Sequence, residues 1–134
     1  MSWDVTLMKL PDNFDGNWEN LPEDFEPKIM CTQEYLQKEI KKLFPNINND
    51  DPTWMILDEE TFSIEFNVGN NDPINSIMLH VRGEQEALKA IKIFSEKFNC
   101  SAIEIDGGRI IDFTAEINEG FSEWQKYRDQ IVNE

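Results

Sequence analysis

The chain has 134 residues, and its 27 acidic residues outnumber its 12 lysines and arginines, which gives a formal net charge of -15. This charge repels phosphate backbones and anionic lipid surfaces, so we expect neither a nucleic-acid partner nor a membrane partner. The length suits a single domain over residues 1–134, which buries about two-thirds of its surface on folding. Nine Phe, four Trp and two Tyr supply a core and argue against disorder.

The N-terminus and the two cysteines favour a cytoplasmic location. The first residues carry neither the basic nor the apolar stretch of a secretion signal, and no apolar run approaches the ~20 residues of a membrane span. Cys31 and Cys100 lie far apart, without C-x-x-C spacing, and each adjoins an apolar segment. We therefore expect buried free thiols in a reducing compartment rather than a disulfide.

The first third of the chain predicts a strand, an irregular segment and a helix. Residues 3–10 alternate between apolar and polar side chains, which is typical of a strand, and Pro11 ends it. Segment 11–31 carries several prolines among many acids, which indicates an irregular surface segment. Its expected anchors to the body of the domain are Trp18, Leu21 and Phe25. Thr32 suits a helix N-cap, and apolar residues then recur at helical spacing until Pro45.

The middle of the chain predicts a meander of three strands. Residues 54–57 are apolar, residues 62–68 alternate more regularly than any other stretch, and residues 77–81 alternate again. Polar turns separate the three runs. The second and third runs should therefore pair as an antiparallel hairpin.

The last third predicts a helix, two strands and a terminal helix. The second helix follows from Gly83, and residues 102–105 form the next strand. Gly107-Gly108 is a hairpin signal that leads to a strand over residues 110–113. Apolar residues at near-helical spacing over 117–131 indicate an amphipathic terminal helix.

These elements define the expected fold class. The order β-α-β-β-β-α-β-β-α is dominated by hairpins, which favours a mainly antiparallel sheet. Because the strands alternate, one face of the sheet should be exposed to solvent while the helices cover the other. We predict an α+β fold, a two-layer sandwich with its helices on one face of the sheet.

The strongest local anomaly is a stretch without any basic residue. Between Lys42 and Arg82 the chain has no lysine or arginine. We expect the acids of this stretch to lie in loops and on the exposed face of the sheet. They are Asp50, Asp51, Asp58, Glu59, Glu60, Glu65 and Asp72. They form either an acidic docking surface for a basic protein or ordinary solvated loops, and solubility alone would favour mixed charges.

Glu65, His80 and Arg82 form the second candidate site. Alternation places all three on the polar faces of paired strands, where cross-strand neighbours come within contact distance. An acid, an imidazole and a guanidinium could perform acid–base chemistry, or they could form a surface charge network of small energetic worth. His80 is the only histidine and no nucleophile motif lies nearby, so we do not expect an enzyme.

No cofactor and no metal site are expected. Residues 46–50 are similar to the start of a calcium loop, but Asp51 replaces the glycine and Leu57 replaces the closing glutamate of such a loop. The pair Gly107-Gly108 is too short to hold a phosphate. Trp18 could anchor a partner if it is exposed, although packing against its own domain is the simpler expectation.

Four phrases of the sequence carry a resemblance to a known family. They are Met1-Ser2-Trp3-Asp4-Val5, Asp51-Pro52-Thr53-Trp54, the run SIEFNVG over 63–69 and the run DPINSIMLHVRG over 72–83. Over residues 1–10 and 43–105 the chain resembles a widespread family of small, acidic bacterial proteins. That family is similar in size and acidity to immunity proteins, which neutralise the toxin domains of interbacterial competition systems. The resemblance covers Glu65, His80 and Arg82 and implies a non-enzymatic inhibitor.

Three functions follow as hypotheses. The first is an immunity protein that binds a cognate toxin protein, itself basic, through an acidic surface that speeds encounter. The second is a non-enzymatic binding module for a small molecule or another protein on the exposed sheet face. The third is an enzyme that uses Glu65, His80 and Arg82. The sequence carries no signal for the oligomeric state.

Overall fold

The protein folds around one five-stranded antiparallel sheet with the strand order β2-β3-β4-β1-β5. The structure, a computed structural model, describes residues 2–12, 14–114 and 119–132. Along the chain its elements are β1 (Trp3–Met8), α1 (Gln33–Leu43), β2 (Trp54–Asp58), β3 (Phe62–Asn67), β4 (Ser76–Gly83), α2 (Glu86–Phe98), β5 (Ser101–Glu104) and α3 (Glu119–Val132). The predicted α+β class is confirmed.

The helices cover one face of the sheet. Every buried position of β1–β4 alternates with a partly or fully exposed one, so each strand has a core side and an outer side. On the core side, the ring of Phe66 lies 6.4 Å from that of Phe44 at the end of α1 and 5.6 Å from that of Phe94 in α2. Trp3 meets Phe121 of α3 edge to face at 5.0 Å. The two-layer arrangement is therefore present.

Local capping signals set the helix ends. The side chain of Thr32 accepts a hydrogen bond from the backbone N–H of Tyr35 at 3.2 Å, which confirms the predicted N-cap of α1. A carboxylate oxygen of Asp72 accepts another from the N–H of Gln33 at 3.1 Å. The second helix ends at Asn99, whose φ of 50° lies in the left-handed region. No helix within the described ranges is both long and apolar enough to cross a membrane.

The predicted strand over 110–113 is reduced to one β-bridge. Ile110 bridges Ile103, but residues 112–114 leave the sheet. The physical reason is a local turn, because the carboxylate of Asp112 accepts hydrogen bonds from the N–H and the hydroxyl of Thr114. The start of the predicted terminal helix falls on residues 115–118, which lie outside the described residues.

Both edges of the sheet carry a short additional pairing. Along β2, Asn48 and Ile56 exchange backbone hydrogen bonds of 2.8 and 3.0 Å. Along β5, the Ile103–Ile110 bridge has the same role. An unpaired strand edge is a template for pairing with another chain, and each bridge covers one residue pair of such an edge.

The end of β4 generates a testable prediction. Gly83 has a φ of 106°, and a Cβ there would overlap the carbonyl oxygen of Thr61 and the Cα of Phe62. We expect Gly83→Ala to lower the free energy of unfolding by roughly 3 kcal/mol or more, because backbone strain and overlap add. The measurement is urea unfolding followed by tryptophan fluorescence.

Gly69→Ala is the matched control for this substitution. Gly69 also has a positive φ, 75°, but no atom lies within 4 Å of its added Cβ. The control should cost only the backbone strain, about 1–2 kcal/mol. Equal losses in the two variants would contradict the close packing of Gly83 against the β2–β3 turn.

Candidate functional site on the open face of the sheet

The sheet surface opposite the helices, here named the open face, carries the candidate site. The register pairs Asp4 with His80, His80 with Glu65 and Glu65 with Ile56, so these four residues form a row across β1, β4, β3 and β2. Neighbours in such a row have Cβ atoms about 4.5–5.5 Å apart. Arg82 lies two residues further along β4 on the same face. The structure thus brings Glu65, His80 and Arg82 together and adds Asp4.

These charged residues divide into two pairs. Nδ1 of His80 lies 2.9 Å from a carboxylate oxygen of Asp4, and Nη1 of Arg82 lies 3.3 Å from a carboxylate oxygen of Glu65. The histidine therefore contacts an acid from β1, not the acid of its hairpin partner. Alternation along β1 could have found Asp4, because Trp3, Val5 and Leu7 take the core side.

An aromatic side chain lies over the histidine. The ring of Trp54 on β2 stacks on that of His80 at 5.7 Å between centroids and 23° between planes. Since β3 separates β2 from β4, the indole reaches across a whole strand. Trp54 and Ile56 remain 37% and 38% exposed, which leaves an apolar surface beside the polar row.

The row is poorly arranged for nucleophilic catalysis. The hydroxyl of Ser2 donates a hydrogen bond to Asp4 at 2.6 Å, so in this set the acid lies between the hydroxyl and the imidazole. A Ser-His-Asp relay needs the imidazole in the middle. Across the described parts of the chain, no group of three or more His, Cys, Asp or Glu side chains could hold a metal ion.

The seven acids of the base-free stretch occupy three places. Three of them, here named the loop acids, lie at the end where β2 begins and β3 ends: Asp50, Asp51 and Asp72. Three others, the turn acids, lie in or beside the β2–β3 turn at the opposite end: Asp58, Glu59 and Glu60. Five or six strand residues, ~17–20 Å, separate the groups. The seventh, Glu65, lies on the open face between them.

Two of the loop acids also support the backbone. Asp51 accepts hydrogen bonds from the N–H and the hydroxyl of Thr53 at 2.9 and 2.7 Å, and these bonds lower the pKa of its carboxyl group. Asp72 bonds to the first turn of α1, where the helix dipole favours an anion. Among the carboxylates of Asp50 and the turn acids, only that of Glu59 accepts a hydrogen bond within the described residues, from Nδ2 of Asn46 at 3.5 Å.

Trp18 packs against its own domain, and part of its surface stays exposed. Its indole Nε1 donates a hydrogen bond to the carbonyl oxygen of Gly108 at 2.8 Å, and its ring lies 4.9 Å from that of Phe14. These contacts tie the irregular segment to the turn after β5. An anchoring role for Trp18 toward a partner stays a prediction, since 37% of the residue is accessible.

The sequence analysis missed an ion pair between a buried acid, Glu104, and a partly exposed base, Arg109. Glu104 is only 3% exposed, and its carboxylate accepts a hydrogen bond from Nε of Arg109 at 2.6 Å. That pairing raises the pKa of the guanidinium. The same carboxylate lies at the N-terminus of α3, where a Cβ on Gly120 would overlap it. The signal was present, because alternation places Glu104 on the same side as the buried Ala102.

Both cysteines are free, although they are partly rather than fully buried. Burial raises the pKa of the Cys100 thiol to about 12 and also raises the pKa of the Cys31 thiol. A thiol of this kind holds very little thiolate at neutral pH. Neither residue is therefore suited to act as a nucleophile.

Comparisons of the chain with protein-family models, with curated proteins and with solved structures found no match.

The cysteine environment predicts slow thiol chemistry. At pH 8, a pKa of about 12 leaves roughly a thousandfold less thiolate than the ordinary pKa of 9.0, and greater intrinsic nucleophilicity offsets only part of this loss. In a Cys31→Ala variant, we expect Cys100 to react with a disulfide reagent at least about tenfold more slowly in the folded protein than in urea. The rate in the folded protein should keep rising with pH well above 9. A rate that levels off near pH 9 would contradict the raised pKa.

Proposed function

We propose that this protein is a non-enzymatic inhibitor of the immunity-protein type, which binds a basic toxin domain with the open face of its sheet. The observation that carries the proposal is the composition of that face. An exposed apolar surface, Trp54 and Ile56, lies between two groups of acids in a stretch that contains no lysine or arginine. An apolar centre inside a charged rim is the usual anatomy of a protein interface.

Trp54 has the properties of an interface anchor. Its indole is held in place by the stack on His80, and Asp4 in turn holds the imidazole. A side chain that is ordered before binding loses less conformational entropy when the partner arrives. Tryptophan is also among the residues whose truncation most weakens interfaces.

The loop acids and the turn acids support the proposal that the partner is basic. They flank the open face at both ends, and Glu65 between them is the only acid of the stretch with a basic partner among the described residues, Arg82. Opposite charges across an interface speed encounter and suppress wrong partners. The net charge of -15 extends this attraction to the whole molecule.

The family resemblance supports the same surface. Each of its four phrases crosses the open face: the first contains Asp4, the second ends at Trp54, the third contains Glu65, and the fourth contains His80 and Arg82. The resemblance to immunity-like bacterial proteins thus falls on residues that lie together on the open face.

Apolar truncation on the open face tests the proposal directly. We expect Trp54→Ala to weaken binding to a toxin domain encoded beside the gene by about 10–100-fold, since interface anchors contribute about 1.4–2.8 kcal/mol. Ile56→Ala should weaken it less. The measurement is calorimetric or surface-based titration, together with survival of cells that express the toxin domain.

The matched control is Ile93→Ala. Ile93 is 45% exposed, similar to Ile56, but it lies on α2, behind the sheet. The Ile93→Ala variant should bind the toxin domain with the affinity of the parent protein. Equal effects of Ile56→Ala and Ile93→Ala, or full binding by Trp54→Ala, would place the interface elsewhere.

Neutralising the turn acids and Asp50 tests the proposed electrostatic attraction of a basic partner. In the variant with Asp58→Asn, Glu59→Gln and Glu60→Gln, we expect the rate of association with the toxin domain to fall at least about tenfold at low salt. At 0.5 M salt this rate should change little. Asp50→Asn should act in the same direction, and Glu96→Gln on α2 is the control for one lost charge. An association rate that does not respond to salt would favour the alternative, a binding module for a small molecule or an uncharged protein surface.

His80→Ala separates inhibition from catalysis. If the protein is an inhibitor, the substitution removes only the ring on which Trp54 stacks. Binding of the toxin domain should then weaken a few-fold, and protection of toxin-expressing cells should persist. An enzyme that uses Glu65, His80 and Arg82 should lose protection altogether. Complete loss of protection with unchanged toxin binding would overturn the non-enzymatic assignment.

A further inference from the structure

A second surface, which is basic rather than acidic, lies beside the C-terminal end of β1. Here a cleft of about 400 Å³ opens between the end of β1, the returning irregular segment and the C-terminus of α2. Its wall includes Lys9, Lys28, Asn99, Ser101, Phe14 and Ile110. One acid, Asp12, also lines it, so the two lysines outnumber the acids of the cleft. None of its lining residues belongs to the row or to the two acidic groups of the open face, so the cleft is a separate site.

Two lysines face each other at this cleft. Lys9 and Lys28 form an antiparallel β-bridge, which places their side chains directly opposite one another. Like charges in that position destabilise a sheet. Neither ammonium has a carboxylate within 4.0 Å in the described part of the chain, which is also true of other lysines such as Lys38 and Lys89. What distinguishes Lys9 and Lys28 is that they face each other across a bridge. In a protein of charge -15, two facing lysines give this cleft a local excess of positive charge, which suits an anionic ligand.

Lys9 is half-buried and lines the cleft. Its ammonium lowers the pKa of both Cys31 and Cys100, against the larger opposing effect of burial. The charge of Lys9 therefore acts on Cys100, which lines the same cleft. Lys28 is exposed and also lines the cleft.

We infer that this cleft binds a small molecule through an oxyanion group, a carboxylate or a phosphate. Two ammonium groups supply the charge-assisted hydrogen bonds that such a group accepts. The amide of Asn99 and the hydroxyl of Ser101 add neutral donors, and Phe14 and Ile110 offer an apolar wall for the rest of the ligand. A volume of about 400 Å³ lies within the range of small-molecule sites.

A nuclear magnetic resonance titration of the full chain tests the inference. The probes are benzoate, phenyl phosphate and inorganic phosphate, each at constant ionic strength with sodium chloride as the balance. We expect saturable shifts of the backbone amides of Lys9, Asn99, Ser101 and Ile110 for at least one probe. Saturation by benzoate alone assigns a carboxylate ligand, and saturation by either phosphate probe assigns a phosphate ligand.

Charge-matched variants make the test specific. Lys9→Gln and Lys28→Gln should each weaken probe binding at least tenfold, whereas Lys38→Gln on α1 removes the same charge outside the cleft and should change it less than twofold. Absence of saturable shifts for all three probes overturns the inference. Equal weakening by Lys28→Gln and Lys38→Gln also overturns it, because the effect would then be that of net charge.

The stability of the free protein gives a second readout. If Lys9 and Lys28 repel one another while the cleft is empty, Lys28→Gln should raise the urea midpoint above that of Lys38→Gln. Added probe should raise the midpoint of the parent protein but not that of Lys28→Gln. A lower midpoint for Lys28→Gln than for Lys38→Gln would show that the lysine pair serves the fold, and would count against a ligand site.

Discussion

The pairing of β4 with both β1 and β3 is the constraint on which the rest of the structure depends. Six residue pairs join β4 to β1 and six join it to β3, in one continuous register. A slip by one residue would turn Ile77, Leu79 and Val81 outward and His80 inward. The burial of one face therefore selects the register. The same register places Asp4, His80 and Glu65 side by side, so the candidate site is a direct product of the packing of the core.

The acidity of the chain serves the fold as well as the surface. Asp15, Asp51 and Asp112 each accept hydrogen bonds from nearby groups, and these bonds lower the pKa of each carboxyl group below its ordinary 3.8. A carboxyl with a lowered folded-state pKa contributes stability above its ordinary pKa and loses it as the pH falls. Within the described residues, the turn acids accept only one hydrogen bond through their carboxylates, which Glu59 accepts from the side chain of Asn46.

Two surfaces of different chemistry lie at different places on the sheet. On the open face, the apolar Trp54 and Ile56 lie between acids, which suits the docking of a basic protein. At the end of β1, Lys9 and Lys28 line a cleft of the size of a metabolite, in a chain whose net charge repels anions. Selectivity in such a cleft would come from short-range contacts, because long-range attraction for an anion is absent. The two surfaces can therefore be altered independently by substitution.

Local patterns in the sequence determined the elements, and only the tertiary structure decided which of them meet. Alternation identified β1, β3 and β4 with their core and outer sides, a short apolar run identified β2, and Thr32 marked the start of α1. These features depend on residues only a few positions apart. The contacts of His80 with Asp4 and of Trp18 with Gly108 join residues 76 and 90 positions apart, and no periodicity encodes them. The hairpin signal Gly107-Gly108 was also insufficient to predict residues 110–113, where the turn at Asp112 replaces strand pairing. Partner choice is a property of the whole packed core, and this is why the site emerged only in three dimensions.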